Sequence, residues 1–162
     1  KVVLAAYGPP RREMDTEVPV VLKDLQSFEN ARLVMPGVIA LQARPFTNYE
    51  AAVKEMEMLN EQCGMYNDQL KGIPLIVICD DAAFVSQRLN NFLWVTFTRC
   101  NPSYDMYGIN PFTEKKHWGC HGPLLIDARI KPHHAPPVEK DAATEKRIDR
   151  LFETGGSLYR VI

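Results

Sequence analysis

The chain has 162 residues, 46% of them hydrophobic, enough for one continuous core in one domain of ordinary size. Its 19 Lys and Arg against 20 Asp and Glu leave a formal net charge of -1, and with no basic surplus a nucleic-acid partner is not expected. No apolar run approaches the ~20 residues of a membrane-spanning helix, and the opening stretch is too short for a secretory signal core, so no membrane partner is expected either.

Lys1 to Ala6 is a short apolar run closed by Gly8-Pro9-Pro10, which reads as a first strand and a turn within an N-terminal extension, residues 1–19. Arg11 to Glu17 is a charged surface connection, and Pro19 interrupts the apolar stretch Val18 to Leu25, which fits neither helix nor strand cleanly. Val38 to Ala43 is a strand by its β-branched content. Thr47-Asn48-Tyr49-Glu50 then forms a capping box, opening a helix that runs to about Cys63. Tyr49, Ala52, Val53, Met56, Leu59 and Cys63 recur on one face of it, and Gly64 is placed to end it in a left-handed conformation.

Ile73 to Cys79 is a continuous apolar run ending in Asp80-Asp81, the pattern of a central parallel strand covered on both faces. A second helix is expected over Val85 to Thr98, with Leu89, Phe92, Leu93 and Thr96 inward, stopping before Cys100-Asn101-Pro102. Asn101 to Gly122 reads as irregular, and Pro123 to Asp127 as another buried strand. Pro132-His133-His134-Ala135-Pro136-Pro137 is a proline-stiffened linker to a last helix, capped by Asp141 and striped by Ile148, Leu151 and Phe152 before Gly155-Gly156. The alternation of strands and helices predicts a single α/β domain of three layers, with a mainly parallel sheet and helices on both faces.

Asp80 and Asp81 at a strand end suit a metal ligand, nucleophile or general base, and equally suit capping of the next helix or pairing with a cation. His117, Cys120 and His121, with His133 and His134 downstream, bring imidazole and thiol ligands into two loops and make a candidate zinc site, although no Cys-x-x-Cys pair is present. The four cysteines, Cys63, Cys79, Cys100 and Cys120, lack paired spacing, so reduced thiols and a cytoplasmic setting are expected. Tyr104, Tyr107, Phe112 and Trp118 form an aromatic-rich stretch that serves either loop packing or an adhesive surface.

Three stretches resemble the C-terminal domain of the UbiD-like prenylated-flavin decarboxylases and carboxylases. Pro74 to Asp81 is similar to that family's apolar strand ending in acidic residues. Leu93 to Asp105 matches its tryptophan helix leading to Arg-x-x-Pro-x-x-Asp, here Trp94, Arg99, Pro102 and Asp105. Leu125 to Arg129 is close to its late strand ending Asp-Ala-Thr, with Asp127 retained and Arg129 in place of threonine. The resemblance covers about Val20 to Phe152, giving a domain over residues 20–153 and a tail over 154–162. Arg99 and Asp105 would pair, or bond the backbone, to hold the loop after the helix.

The resemblance implies that prenylated FMN, a metal ion and a Glu-Arg-Glu catalytic set reside in a separate catalytic subunit or a missing domain, so no catalytic or cofactor residue is assigned in this chain. It is expected to be an accessory, assembly-forming subunit, or the C-terminal domain, of a complex acting on an aromatic or unsaturated carboxylic acid. Its partners would be a larger catalytic subunit, further copies of itself, or both. A chain that does not begin with Met fits a processed subunit or an excised part of something longer. Two other readings stay open: a small independent enzyme or metal-binding protein using Asp80 and Asp81 or the His117, Cys120 and His121 cluster, and a non-catalytic scaffold.

Overall fold

A computed structural model describes residues 7–10, 12–135 and 141–161. The strand expected at Lys1 to Ala6 and the prolines Pro136 and Pro137 lie outside the described residues. Contacts divide the chain into two compact units, Lys1–Pro132 and His133–Ile162.

The first unit is built on five strands, β1 (Phe28–Met35), β2 (Val38–Ala43), β3 (Leu75–Cys79), β4 (Met106–Gly108) and β7 (Leu124–Asp127), in the order β1-β2-β3-β7-β4. β2, β3 and β7 are mutually parallel, while β1 and β4 are antiparallel edges. Alternation along the central strands fills two cores. Ile39, Leu41, Ile76, Ile78 and Leu125 face α1 (Tyr49–Gly64), which contributes Met56, Leu59 and Cys63. Ala40, Val77, Cys79 and Ile126 face α2 (Ala82–Gln87) and α3 (Leu89–Arg99), which contribute Val85, Phe92 and Val95. The three-layer α/β arrangement with helices on both faces is as expected; the parallel character is confined to the middle of the sheet.

The antiparallel edges have identifiable local causes. Met35 pairs with Val38 across Pro36-Gly37, and Gly37 sits at φ +79°, so the Pro-Gly pair turns the chain directly back and adds β1, a strand the sequence reading passes over. On the other side, the single helix expected over Val85 to Thr98 is two. Arg88 is extended at φ -151° and ψ 147°, and Asn91 Nδ2 donates to the freed carbonyl of Phe84 at 2.9 Å. The reversal returns the chain to the carboxyl edge of the sheet, so the next strand, β4, must run down antiparallel to its neighbour. It also turns α3, burying Phe92, Val95 and Thr96 and leaving the expected inward residues Leu89 and Leu93 exposed.

The stretch expected to be irregular holds β4 and a separate hairpin, β5 (Pro111–Glu114) and β6 (His117–Cys120). Its two-residue turn is Lys115-Lys116, both left-handed at φ 49° and 70°, the conformation of a type I′ turn without the usual Asn or Gly. Two helix ends also differ from expectation. Asn48, one residue past Thr47, caps α1 by accepting from Ala51 N at 2.9 Å, and Gly64 stays within the helix instead of turning left-handed. On the expected inner face of α1, Val53 is exposed.

The second unit contains α4 (Ala142–Phe152). Asp141 caps it as expected, accepting from Ala143 N and Thr144 N at 3.2 and 3.0 Å. None of its side chains is buried.

Candidate functional site

Three parallel strands ending at one edge bring together chain segments from β2, β3 and β7, the usual place for function in an open α/β sheet. Here that edge is filled by a cluster of buried charges. Arg129 and Lys131, each 1% exposed, stand beside Asp127 and Asp105, at 0 and 1%. Glu55 of α1 completes the group, leaving two cations among three carboxylates.

The polar groups of the cluster hold one another through a network of short bonds. Arg129 binds Asp127 through Nε at 3.0 Å and Nη2 at 2.7 Å, while its Nη1 donates to Glu55 at 2.7 Å and to the Arg44 carbonyl at 3.0 Å. Burial alone works against a charged guanidinium, but the bonds and charge of Asp127 and then Glu55 outweigh it, and the Arg129 pKa is raised. Lys131 Nζ donates to the carbonyl of Asp127 at 2.9 Å and lies 3.2 Å from Asp105. Phe46 lies under both cations, its ring centre 5.7 Å from the Arg129 guanidinium carbon and 5.3 Å from Lys131 Nζ. Asp105 Oδ2 also accepts from Asn101 N at 2.6 Å; its Oδ1, like Thr96 Oγ1, has no partner among the described residues. The cluster's negative field reaches the nearby phenols: burial first, then Asp127 and Asp105, push Tyr107 up to about 12, and burial followed by the same two carboxylates raises Tyr49.

The carboxylates singled out from the sequence each have defined partners. Asp81 caps α2, accepting from Phe84 N at 2.9 Å. Asp80 Oδ2 accepts from Arg99 at 3.1 Å and from Ile130 N at 2.8 Å, tying α3 and the chain after β7 to the end of β3. Of the two expected arrangements, the direct Arg99–Asp105 pair does not form, while Asp105 does bond the loop backbone. Arg99 pairs with Asp80 and packs 5.1 Å from the Trp94 ring centre, whereas Asp105 takes Lys131 and the backbone of Asn101. Pro102 sits in the exposed turn that these contacts hold. At the centre of the cluster, Arg129 stands out in the sequence only as a replacement for threonine, and Lys131 is passed over. The available signal was Asp127, Arg129 and Lys131 at alternate positions running on from an apolar strand, which puts three charges on one side of an extended chain.

The metal candidates do not converge. Among the described residues no three His, Cys, Asp or Glu side chains are grouped to hold an ion. Cys120 Sγ donates to the Gly122 carbonyl at 3.3 Å, and His121 stacks on Phe112 with ring centres 4.7 Å apart. His117 pairs with Glu114 on the face of the hairpin opposite Cys120.

Exposed apolar residues form the other notable feature. Leu89, Leu93 and Phe97 recur every fourth residue along the outer side of α3, with Trp94 beside them and Phe84 on α2; Phe97 is 69% exposed. With Phe92 and Val95 buried beneath, α3 is apolar on both sides, which is the pattern of a helix covered on both sides. The aromatic residues expected to serve loop packing or an adhesive surface are dispersed. Tyr104 packs on Tyr49 at 5.3 Å, Tyr107 is half-buried against the α1 core, and Phe112 and Trp118 occupy opposite faces of the hairpin.

No family model matches the chain. A 4-hydroxybenzoate decarboxylase subunit of Chlamydia pneumoniae is 32% identical over 88 residues, covering 54% of this chain and 15% of that protein. An uncharacterized protein of Chlamydia caviae is 22% identical over 152 residues, covering 94% of this chain and 24% of its own length. The chain thus spans less than a quarter of the length of either relative. Among solved structures, vanillic acid decarboxylase of Sedimentibacter hydroxybenzoicus in open form aligns with a TM-score of 0.48 at 13% identity, covering 83% of this chain and 30% of that one. The sequence relationship to a decarboxylase subunit bears out the UbiD-like resemblance.

Proposed function

For a chain related by sequence to UbiD-like decarboxylase subunits, we propose an assembly role: it is an accessory subunit, or the C-terminal domain, of a decarboxylase or carboxylase acting on an aromatic or unsaturated carboxylic acid. The observation that carries this reading is the outer face of α3, where Leu89, Leu93, Trp94 and Phe97 stand uncovered. Its occupant is the larger catalytic part of the enzyme. The matched relative is several times the length of this chain, and a partner of that size has room to cover one helix face.

On this reading prenylated FMN and its metal belong to the catalytic part. The described residues of this chain do not fit them, because Arg129 and Lys131 are already engaged by carboxylates and carbonyls and no metal-ligating group converges. Four cysteines without a disulfide suit the reducing cytoplasm. Among the described residues no helix is long and apolar enough to cross a membrane.

The test is native mass spectrometry of the protein purified gently from its source, with absorption recorded on the same sample. An assembly heavier than the 18.4 kDa chain with a flavin spectrum, lost when Leu93 and Phe97 are changed to Ser, is the expected result. A bare chain without flavin, or an assembly indifferent to both substitutions, overturns it.

A further inference from the structure

A cleft of about 190 Å³ lies between α1 and the β4 edge with its hairpin, lined by Val53, Met56 and Glu57 on one side and Met106, Tyr107 and Trp118 on the other. Its size excludes a drug-sized ligand, which needs roughly 300–1,000 Å³, and suits a single side chain. Tyr107 and Trp118 bring two flat aromatic rings to it beside the thioethers of Met56 and Met106, and Trp118 is half-exposed. Gly108 sets this arrangement. A Cβ there would fall 2.4 Å from Cys120 Cβ and 3.3 Å from the Trp118 ring, so only glycine lets the hairpin lie close enough to hold the indole over the strand. On the opposite hairpin face Phe112 stacks with His121, whereas Trp118 meets no other aromatic ring among the described residues.

One charge borders the cleft. Glu57 has no ion-pair partner among the described residues, because Lys54, one turn earlier, is held by Glu50 at 2.7 Å. We propose that this cleft receives an arginine side chain presented by a protein partner. A leucine in the same place would strip water from the Glu57 carboxylate and return no charge to it. A lysine ammonium is compact and strongly hydrated, whereas a guanidinium is planar and more weakly hydrated, stacks on indole and phenol faces, and keeps its edge free for the carboxylate. The inference goes beyond the assembly role and does not need the α3 face, which lies in the other helical layer.

The test titrates the full 162-residue chain, labelled with nitrogen-15, with N-acetyl-arginine methylamide, its citrulline counterpart and N-acetyl-leucine methylamide. The readouts are the Trp118 indole resonance, assigned with Trp118→Phe, and the amides of residues 53–60 and 106–108. Saturable shifts with the arginine compound alone are expected, weakened about threefold by Glu57→Gln while the remaining spectrum stays that of the folded chain. Equal shifts from the leucine compound, an arginine response unchanged by Glu57→Gln, or no saturable response to any of the three overturns the proposal. None of these outcomes bears on whether the chain joins a flavin enzyme.

Discussion

Arg129 and Asp127 stand two residues apart on one extended stretch and face each other through two parallel hydrogen bonds, Nε to Oδ1 at 3.0 Å and Nη2 to Oδ2 at 2.7 Å. Both side chains are 1% exposed, so neither charge has water as an alternative partner. Replacing Arg129 with Met strands Asp127 and weakens the hold on Glu55. The expected loss is about 3–5 kcal/mol of folding stability, read from urea unfolding by circular dichroism. Arg129→Lys should recover only part of it, since an ammonium cannot reproduce the planar fork. A loss below about 1 kcal/mol would mean that the cluster is not closed as described.

Thr96 is fully buried on α3 and its hydroxyl has no partner among the described residues. Thr96→Val keeps the branched shape and removes the stranded oxygen, so the variant should gain about 1 kcal/mol in the same unfolding measurement. A loss of similar size would reveal a hydrogen bond that the hydroxyl makes in solution.

Asp80 and Asp81 are adjacent but should respond differently. Asp81→Ala removes one helix cap and should cost about 1 kcal/mol. Asp80→Ala removes the acceptor shared by Arg99 and Ile130 N, leaving a partly buried guanidinium unpaired, and should cost more, about 2–3 kcal/mol. Equal costs would indicate that Asp80 also acts only as a cap.

Burial pushes the Cys63 thiol from its ordinary 9.0 up to about 11 and, together with the adjacent Asp80, the Cys79 thiol up to about 12. The unfolded chain sheds these protons above pH 9, while the folded chain holds them. Stability contributed by the neutral thiols is therefore complete below pH 9 and is lost as the pH rises through the folded values. The unfolding free energy from urea titration should fall between about pH 9 and 12, by up to about 1.4 kcal/mol per pH unit for each thiol, and the midpoint with it. Cys63→Ala should make that fall shallower. A midpoint that stays level to about pH 11 in the parent chain contradicts the assignment.

Leu93→Ser with Phe97→Ser should leave the isolated chain folded with stability within about 0.5 kcal/mol, because both side chains are already solvated. The same pair should reduce binding of a hydrophobic dye and self-association on gel filtration. Unchanged dye binding would place the accessible apolar surface elsewhere.

What was legible in the sequence follows from how each residue is surrounded. β3 announced itself because Ile76, Val77, Ile78 and Cys79 are buried on both faces, and α1 because its apolar residues keep one stripe. β1 did not, because Glu29, Asn30 and Arg32 leave an edge strand half polar, with positive φ at Asn30. The hairpin was hidden by a Lys115-Lys116 turn carrying none of the usual residues. The break at Arg88 has no glycine or proline to mark it and depends on an Asn91 side-chain bond. At the site, the acidic residues were visible as types, but their partners were not. The pairing of Asp80 with Arg99 and of Asp105 with Lys131 is set by which strand ends the topology brings together.

The buried charge cluster also imposes an order of events on folding. Its members come from Arg44, Glu55, Asp105, Asp127, Arg129 and Lys131, so its ring of bonds spans nearly ninety residues of chain. The two cations come last in sequence. Until β7 is paired and the chain after it has settled, the acceptors from α1 and from Arg44 just past β2 have no cation and must stay in water. Sequestering this edge from solvent is thus a late, all-at-once step with a high loop-closure cost, and a nascent chain stopped before Arg129 would keep that edge wet.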